Sequence, residues 1–369
     1  MKILISCIQF ERGGAARVAA ILCNGLQQLG YEISLVTDLQ NWNCSYEINK
    51  GVAIYPIDTK GRNSNLFIKS TKWFKCSFQI RKYIKNIKPD IIISIEAMMF
   101  LCSWLGNIGI KIPIIAADHT SFNRKIAPII DFVRYYLYNK ADGLSILTQK
   151  DARLLNKKFP HKRVIYNPIS FSSIPSINTL SLRRKSILCA GRLEVWKIKG
   201  FDIILSIWGQ IANKYPDWIL EIAGSTDDKI TVSYLNNILK EKNIIDRVRL
   251  LGHVDDMQAL YQESSIFALP SRMEGFPMVL LEAMSQGCAC IAFDLYGASS
   301  EMLTSYKEGI IVSDGNIDDF QKELEALILN EELRWELACN AIKRTETFSI
   351  ETFIKNWDIY IREILNSYN

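Results

Sequence analysis

Two hydrophobic periods alternate along the chain, and this alternation constrains its fold more than any other feature. Short apolar runs, typical of buried strands, alternate with segments in which apolar residues recur at helical spacing, such as 15–29 and 201–214. Alternating strands and helices predict parallel sheets joined by right-handed crossovers. Strands are predicted at 2–8, 32–37, 52–57, 91–95, 114–117, 144–147, 186–189, 219–223, 248–251, 266–269, 289–292 and 309–312.

Length and charge distribution indicate two domains. A chain of 369 residues is longer than one hydrophobic core usually supports. Residues 1–180 carry 24 Lys and Arg against 11 Asp and Glu, whereas residues 181–369 carry 20 against 28, so the net charges of the two halves differ in sign. A stretch rich in Ser, Asn and Pro at 167–184 lies where the sign changes, and this composition is typical of a linker.

The predicted architecture is therefore two doubly wound α/β domains that face a cleft. We expect the first domain at 1–172, the second at 173–348 and a C-terminal helix at 349–369. Aromatic residues at helical intervals after residue 348 predict that this last helix packs back toward the N-terminal domain.

Composition and motif content exclude several classes of protein. Hydrophobic residues make up 49% of the chain and charged residues 22%, as in a folded soluble enzyme. The uncharged apolar stretch 97–110 is shorter than the roughly 20 residues that cross a bilayer, and residues 1–12 indicate a strand rather than a signal peptide. The nine cysteines lack metal-site spacing and no DxD or HExxH motif is present, so we expect a cytoplasmic protein without metal or cofactor.

The segment 66–89 combines cations with aromatic residues. It holds seven Lys or Arg and no acid, with Phe, Trp and Tyr between them. Such a face suits anionic lipid head groups, and we expect peripheral contact with the inner leaflet of a membrane here. A nucleic-acid surface and an ordinary solvated helix face are the alternatives, although no nucleic-acid-binding motif accompanies the segment.

The stretch SRMEGFPMVLLEAMSQG, 271–287, predicts an anion site at the start of a helix. Pro277 is typical of a first helical turn, which places Glu274 in the preceding loop and Glu282 inside the helix. Backbone N–H groups at a helix start suit a diphosphate, whereas carboxylates suit vicinal hydroxyls, so we expect sugar hydroxyls at Glu274 and a ribose at Glu282. The N–H groups expected at the diphosphate belong to Phe276, Met278 and Val279.

The stretch AGRLEVWKIKGFDIIL, 190–205, supplies cations just after a predicted strand. Fixed cations at the carboxyl end of a strand suit an anionic ligand such as a diphosphate. Arg192 offers a bidentate fork and Lys199 a point charge, and Lys197 competes with Lys199 for that second role.

Together these stretches carry a family resemblance. Glu274 and Glu282 fall on the two acidic positions of the E-x7-E signature of retaining glycosyltransferases of the GT-B fold, and the chain resembles glycosyltransferase family 4 in particular. The resemblance spans roughly residues 1–345. In that family an Arg and a Lys stabilise the leaving diphosphate, normally in the shorter spacing GRLxxxKG, and this chain has two extra residues there. The match to Lys-Gly-Phe-Asp favours Lys199 over Lys197.

The resemblance also implies further contacts with a nucleotide sugar. Gly13 and Gly14 match a loop near the donor phosphates and the acceptor, and His119 matches a histidine that contacts the donor sugar. Gly252 and His253 match the loop that binds the nucleobase. Gly275 and Pro277 complete the donor-binding loop. Helix–sheet packing accounts equally well for the two glycines, and a structural histidine is the alternative for His119.

The sequence therefore predicts a metal-independent retaining glycosyltransferase of the GT-B fold. The expected donor is a UDP-hexose or UDP-N-acetylhexosamine bound by the C-terminal domain. The expected acceptor is a glycan or polyprenyl-diphosphate-linked glycan of bacterial surface polysaccharide synthesis, at the cytoplasmic face of the inner membrane. A sugar-nucleotide epimerase of the same fold, a non-catalytic sugar-nucleotide-binding protein and an NAD-dependent dehydrogenase are the alternatives.

Overall fold

The computed structural model of the protein describes residues 1–9, 14–38, 46–58, 66–155, 159, 161–171, 182–226 and 228–368. The chain divides into two compact units. Unit 1 comprises Met1–Pro168 together with Ile350–Asn369, and unit 2 comprises Ile169–Ser349. The expected boundary at residue 172 thus falls four residues beyond the end of the first segment, and the C-terminal segment belongs to unit 1.

All strands of the described residues lie in two parallel sheets. The strands are β1 (Lys2–Gln9), β2 (Glu32–Asp38), β3 (Ala53–Ile57), β4 (Ile91–Ile95), β5 (Ile114–Ala117), β6 (Gly143–Ile146), β7 (Lys162–Val164), β8 (Arg184–Ala190), β9 (Ile219–Ala223), β10 (Val248–Gly252), β11 (Ser264–Leu269), β12 (Ala289–Phe293) and β13 (Ile310–Val312). The strand order is β3-β2-β1-β4-β5-β6-β7 in unit 1 and β10-β9-β8-β11-β12-β13 in unit 2. Both orders reverse beside their first strand, as in doubly wound folds.

Helices connect the strands. They are α1 (Gly14–Gln28), α2 (Leu66–Ile87), α3 (Ala97–Asn107), α4 (Pro128–Phe132), α5 (Gln149–Leu155), α6 (Phe201–Ile211), α7 (Lys229–Glu241), α8 (Met257–Glu263), α9 (Met278–Ser285), α10 (Ile317–Leu329), α11 (Glu331–Thr345) and α12 (Ile350–Tyr368). A π-helical turn, Val133–Leu137, continues α4, and a 3₁₀ turn, Ala212–Lys214, continues α6.

The sheet of unit 1 buries apolar residues on both faces. On one face, side chains of α1 and α12 pack against β1, β2 and β4, and on the other face α2 and α3 do so. Strands buried on both sides are continuous apolar runs, and β4 (IIISI) is buried along its whole length. Unit 2 has a comparable core around Trp208, Phe267, Phe293 and Phe320, all fully buried.

The C-terminal helix α12 is part of the core of unit 1. Phe353, Trp357 and Tyr360 are buried at the helical spacing seen in the sequence, and the Tyr360 hydroxyl donates a 2.6 Å hydrogen bond to the carbonyl of His161. Because Gly25 carries no side chain, α1 approaches Ile354 of α12 closely. The segment is therefore an integral element of unit 1.

The predicted strands agree with the observed ones to within about two residues at each end. The three-residue strand β7 was not predicted because it is short and two of its residues are basic. Within the described part of the chain, no helix has the length and apolar character needed to cross a membrane. Eight of the cysteines are described, and all eight are buried free thiols.

Candidate active site

Three glycine-containing turns lie at the carboxyl edge of the sheet in unit 2. Gly191 follows β8, Gly224 follows β9, and Gly252 ends β10. The N–H of Gly224 donates to the carbonyl of Gly252 over 2.8 Å, and a Cβ atom at Gly224 would lie 1.9 Å from the carbonyl oxygen of Gly191. Only glycine allows this approach of two backbones, so backbone groups rather than side chains form this part of the edge, where doubly wound sheets bind ligands.

The loop after β8 touches the loop after β11 through another glycine. Gly200 has φ +68°, and a Cβ atom there would lie 1.9 Å from the carbonyl oxygen of Pro270. The N–H of Arg272 donates to the carbonyl of Ile198 over 2.7 Å, which ties the two loops a second time. Because β8 and β11 are neighbouring strands, their carboxyl ends bring the two predicted motifs together.

Lys199 and Glu274 meet where these loops touch. The Lys199 Nζ atom lies 2.7 Å from Glu274 Oε1, and the Ser271 hydroxyl donates to the same oxygen over 2.9 Å. The two charged side chains are only 18% and 14% exposed, so the pair is better shielded from water than a surface ion pair. The stem of Lys199 lies against Gly191, where a Cβ atom would come within 3.1 Å of Lys199 Cδ.

The other two cations of the stretch 190–205 lie elsewhere. Lys197 is exposed, and its Nζ atom lies 5.2 Å from the centre of the Trp196 ring. Arg192 is exposed directly after Gly191, and its guanidinium makes no hydrogen bond or ion pair to another described residue. The structure thus places Lys199, and not Lys197, beside Glu274.

Arg272 is a residue of this site that the sequence analysis did not single out. Its guanidinium makes two 2.7 Å hydrogen bonds to the Asp202 carboxylate in the first turn of α6, and it also donates to the carbonyl of Lys197 over 2.5 Å. The Asp202 carboxylate raises the pKa of Arg272. Arg272 thereby fixes the course of the loop that carries Lys199. Its position within the stretch 271–287 was the feature of the sequence that could have identified it.

Helix α9 begins directly after this loop. Pro277 is its N-cap residue, one position earlier than the first-turn position expected, and Met278 and Val279 form the first turn. The first N–H groups of a helix have no intrahelical acceptor and carry the positive end of its dipole. The Phe276 side chain is buried and packs on Phe348, with ring centres 6.1 Å apart, so only its backbone can face a ligand.

Glu282 is a buried carboxylate on α9. It is 5% exposed, and its two oxygens accept hydrogen bonds from Ser170 at 2.9 Å and from Tyr261 at 3.2 Å. Its partners connect the start of unit 2 with α8 and α9. Contact with a ribose at this position stays a prediction.

The predicted nucleobase loop is partly exposed, and only Gly14 of the two predicted glycines at the start of α1 is described. His253 is 47% exposed and its Nε2 atom lies 3.1 Å from Oδ1 of the exposed Asp255, and Gly252 has φ +66° with open space beside it. Gly14 is the first residue of α1. Gly13 lies outside the described residues.

His119 follows β5 in unit 1 and lines a cavity of about 190 Å³. Its Nδ1 atom is shielded from solvent and has no hydrogen-bond partner among the described residues. Burial lowers the pKa of His119 to about 4, against a smaller opposing effect of Asp118, so the imidazole is neutral at pH 7.

Charged residues absent from the sequence prediction share this cavity. They are Glu96, which follows β4, and the ion pair of Asp118 and Arg134. The position of the two acids in the sequence could have identified them, because each follows the carboxyl end of a strand, where doubly wound sheets bind ligands. Their mutual contacts depend on the packing of α4 and the following π-helical turn, which the sequence pattern did not predict.

Solved structures with the same architecture include glycosyltransferases. Sucrose-phosphate synthase from Thermosynechococcus elongatus superposes with a TM-score of 0.85 at 15% identity, and the alignment covers 99% of each chain. The Anabaena protein Alr3699/HepE, solved in complex with UDP-glucose, superposes with a TM-score of 0.77 at 17% identity over 100% of each chain. The fold is therefore the GT-B fold, with two Rossmann-like domains.

Sequence comparison agrees with the fold. Residues 12–172 match the family described as Glycosyltransferase Family 4, and residues 171–344 match the family described as Glycosyl transferases group 1. Together the two matches span residues 12–344: the N-terminal part of the chain matches one glycosyltransferase family and the C-terminal part matches the other.

Several curated bacterial relatives match over almost the whole chain. An uncharacterized glycosyltransferase of Haemophilus influenzae is 28% identical over 94% of this chain and 95% of its own length. An α-1,4-N-acetylgalactosaminyltransferase of Campylobacter jejuni, named for an undecaprenol-linked glycan substrate, is 26% identical over 100% of both chains. The amylovoran biosynthesis glycosyltransferase AmsD of Erwinia amylovora is 28% identical over 96% of both.

Proposed function

We propose that the protein is a retaining, metal-independent glycosyltransferase. It transfers a sugar from a UDP-hexose or UDP-N-acetylhexosamine to a glycan or lipid-linked glycan during bacterial surface polysaccharide synthesis. The observation that carries the proposal is the meeting of Lys199 and Glu274 beside the start of α9. Support for the donor and acceptor classes comes from the UDP-glucose complex of the Anabaena protein and from the name of the Campylobacter relative.

In this proposal unit 2 binds the donor. The diphosphate lies against the first N–H groups of α9, with Lys199 and the exposed Arg192 beside it. Without a ligand, Glu274 balances the charge of Lys199. When the diphosphate replaces Glu274 as the partner of Lys199, the Glu274 carboxylate keeps its hydrogen bond from Ser271 and can accept hydrogen bonds from sugar hydroxyls. Gly252 and His253 are then at the nucleobase.

The proposed chemistry needs no strong general base. The bond between the anomeric carbon and the diphosphate oxygen breaks, and the acceptor hydroxyl attacks from the same face, so the anomeric configuration is retained. The acceptor proton passes to the departing phosphate oxygen. The two cations and the helix start stabilise the charge that develops on the diphosphate, and this is the role that a metal ion plays in other glycosyl transfers.

Ligand protection tests the donor. A ligand at one hundred times its dissociation constant stabilises its binding unit by about 2.7 kcal/mol. We expect UDP and a UDP-sugar to raise the unfolding temperature with EDTA present, and GDP to raise it less. Absence of protection by every uridine and guanosine nucleotide would refute the proposed donor class.

The chain offers a matched pair of lysine variants for the leaving-group role. Loss of one group that stabilises developing charge typically costs 10²–10³ in rate, so Lys199→Ala should lower turnover by about that factor. Lys197→Ala, only two residues away, should change turnover less than about twofold because Lys197 lies over Trp196. Equal effects of the two substitutions would contradict the assignment.

Product analysis tests the reaction type. With a UDP-sugar and a synthetic polyprenyl-diphosphate glycan, NMR of the product should show the same anomeric configuration as the donor. An epimerase would instead convert the nucleotide sugar without an acceptor. A non-catalytic binding protein would give no turnover, and a dehydrogenase would give a nicotinamide-dependent absorbance change.

We also propose that the outer face of α2 contacts an anionic membrane, which would place the enzyme at the cytoplasmic face of the inner membrane. Phe74 and Phe78 stand one turn apart and are 60% and 72% exposed, with the exposed Lys75, Lys82 and Lys85 beside them along the helix. Large exposed aromatic residues among cations are typical of interfacial helices.

Two cations of α2 do not belong to this face. Arg81 donates to the carbonyls of Gly106 and Ile108 over 2.9 and 2.6 Å, at the C-terminal end of α3, and the Lys72 Nζ atom is shielded from solvent. The test therefore uses Phe74→Ser and Phe78→Ser with vesicles of phosphatidylglycerol and phosphatidylethanolamine. We expect the wild type to sediment with these vesicles and the double variant not to. Equal sedimentation, or binding of the wild type to DNA alone, would overturn the assignment.

A further inference from the structure

The cavity that His119 lines lies at the switch point of the sheet in unit 1. In the order β3-β2-β1-β4-β5-β6-β7, successive connections reverse between β1 and β4. Ile8 of β1 and Glu96 after β4 both line the cavity, and Asp118 and His119 after β5 complete that wall. Open parallel sheets bind ligands at the carboxyl ends of the strands where the order reverses. The cavity therefore lies where folds of this kind bind ligands.

The strongest charges of the cavity neutralise each other. Arg134 Nε lies 2.7 Å from Asp118 Oδ2, with the two side chains 1% and 4% exposed. The guanidinium also donates to the carbonyls of Thr120 and Arg124, and it lies 4.2 Å from the centre of the Phe122 ring. Its donors are therefore engaged with the protein. None of the described lining residues offers an unpaired cation, which disfavours a phosphate or carboxylate ligand here.

The backbone of Glu96 has an energetically unfavourable conformation, and its carboxyl group is unpaired among the described residues. Its backbone has φ +72° and ψ 150°, a region that residues other than glycine rarely adopt. The N–H of Glu96 donates to the Ala117 carbonyl, and its own carbonyl accepts from Phe100, both over 3.0 Å. The carboxyl group makes no hydrogen bond or ion pair to another described residue. The backbone bonds thus fix the residue and leave its side chain for a ligand.

Burial and the negative charge of Asp118 raise the pKa of Glu96 to about 7. Three other titratable groups surround it: the paired Arg134, the neutral His119 and the Tyr138 phenol, whose pKa burial raises well above its ordinary range. Only Glu96 therefore changes charge between pH 6 and pH 8 among these groups.

We propose that this cavity binds an uncharged, hydroxyl-bearing group, namely a pyranose ring of the acceptor, and that Glu96 accepts a hydrogen bond from one of its hydroxyls. The proposal rests on the proposed function, because it specifies how unit 1 recognises the acceptor. A hydroxyl binds a carboxylate more strongly than a neutral carboxyl group or an amide. The affinity for the sugar therefore rises as Glu96 ionises.

The test uses methyl α-glycosides of glucose, galactose and N-acetylgalactosamine as uncharged probes, with binding measured by saturation-transfer NMR. We expect wild-type affinity for at least one probe to increase about tenfold from pH 6 to pH 8. In Glu96→Gln the affinity should stay at the pH 6 value throughout, and in the surface control Glu47→Gln it should follow the wild type. A pH-independent wild type, or a pH-dependent Glu96→Gln variant, would overturn the role of Glu96.

Two further arms separate the possible failures. Inorganic phosphate as competitor should not displace the glycoside, and displacement would show that the cavity binds anions instead. Protection by UDP is measured on the same samples and should be equal in wild type and Glu96→Gln. If UDP protects but no glycoside binds, the acceptor assignment is wrong while the proposed donor stands. If glycosides bind but UDP does not protect, the proposed function fails instead.

Discussion

Removing the charge of Asp118 should destabilise unit 1 by several kcal/mol. Asp118→Asn keeps the shape of the side chain and an oxygen able to accept the 2.8 Å hydrogen bond from the N–H of Thr120, but it leaves the Arg134 guanidinium without a counter-ion. Arg134 is 1% exposed, so water cannot replace the lost partner. Breaking a buried ion pair from one side costs about 3–5 kcal/mol. For a unit of this size that corresponds to a fall of roughly 10 °C in unfolding temperature.

The measurement should resolve the two units, because a chain of two units need not unfold in one step. Hydrogen exchange of peptides from β4, β5 and the π-helical turn reports the stability of unit 1 directly. The control is Glu32→Gln in the same unit, since Glu32 forms a 3.6 Å ion pair with Lys2 in which both side chains are about half exposed. Such a pair contributes less than about 1 kcal/mol.

The double variant Asp118→Asn/Arg134→Met tests whether the uncompensated charge is the cause. Methionine removes the uncompensated charge, so the double variant should be more stable than Asp118→Asn alone. If Asp118→Asn costs no more than Glu32→Gln, the buried pair does not have the energetic role that its geometry indicates.

Three further predictions concern other parts of the chain. Because the raised pKa of Glu96 favours its protonated form, the wild type should lose stability as pH rises from about 4.5 to 7. In urea titrations, the free energy of unfolding of Glu96→Gln should therefore exceed that of the wild type by about 3 kcal/mol at pH 8 and equal it at pH 4. Gly200→Ala should unfold at lower temperature than Gly30→Ala, since both have positive φ but only the former would clash with Pro270. Deleting 350–369 should give insoluble protein, because it exposes the core of unit 1.

The fold was largely predictable because its signals are local. Strands buried on both faces are nearly continuous apolar runs, so β4 and β5 were predicted with the observed bounds. Segments without such an apolar run were harder to predict. The polar strand β7 was missed, and the π-helical turn after α4 has no periodic signature.

The candidate site in unit 2 was predictable for a related reason. Its two motifs each follow a strand, and parallel strands place their carboxyl ends at one edge. Spacing alone could not decide between Lys197 and Lys199, since both follow Arg192 within a few residues. The contact of Lys199 with Glu274 depends on the left-handed turn at Gly200, which directs the chain against Pro270.

The alternation of strands and helices, the two glutamates of the signature and the cations near them are properties of neighbouring residues, so local sequence was enough to predict them. Packing in three dimensions establishes which cation meets Glu274, that Asp118 neutralises Arg134, and that Glu96 is left unpaired in a cavity at the switch point of its sheet. Burial and pairing join residues far apart in the chain. Their electrostatic consequences arise when packing removes water, and no local pattern contains that information.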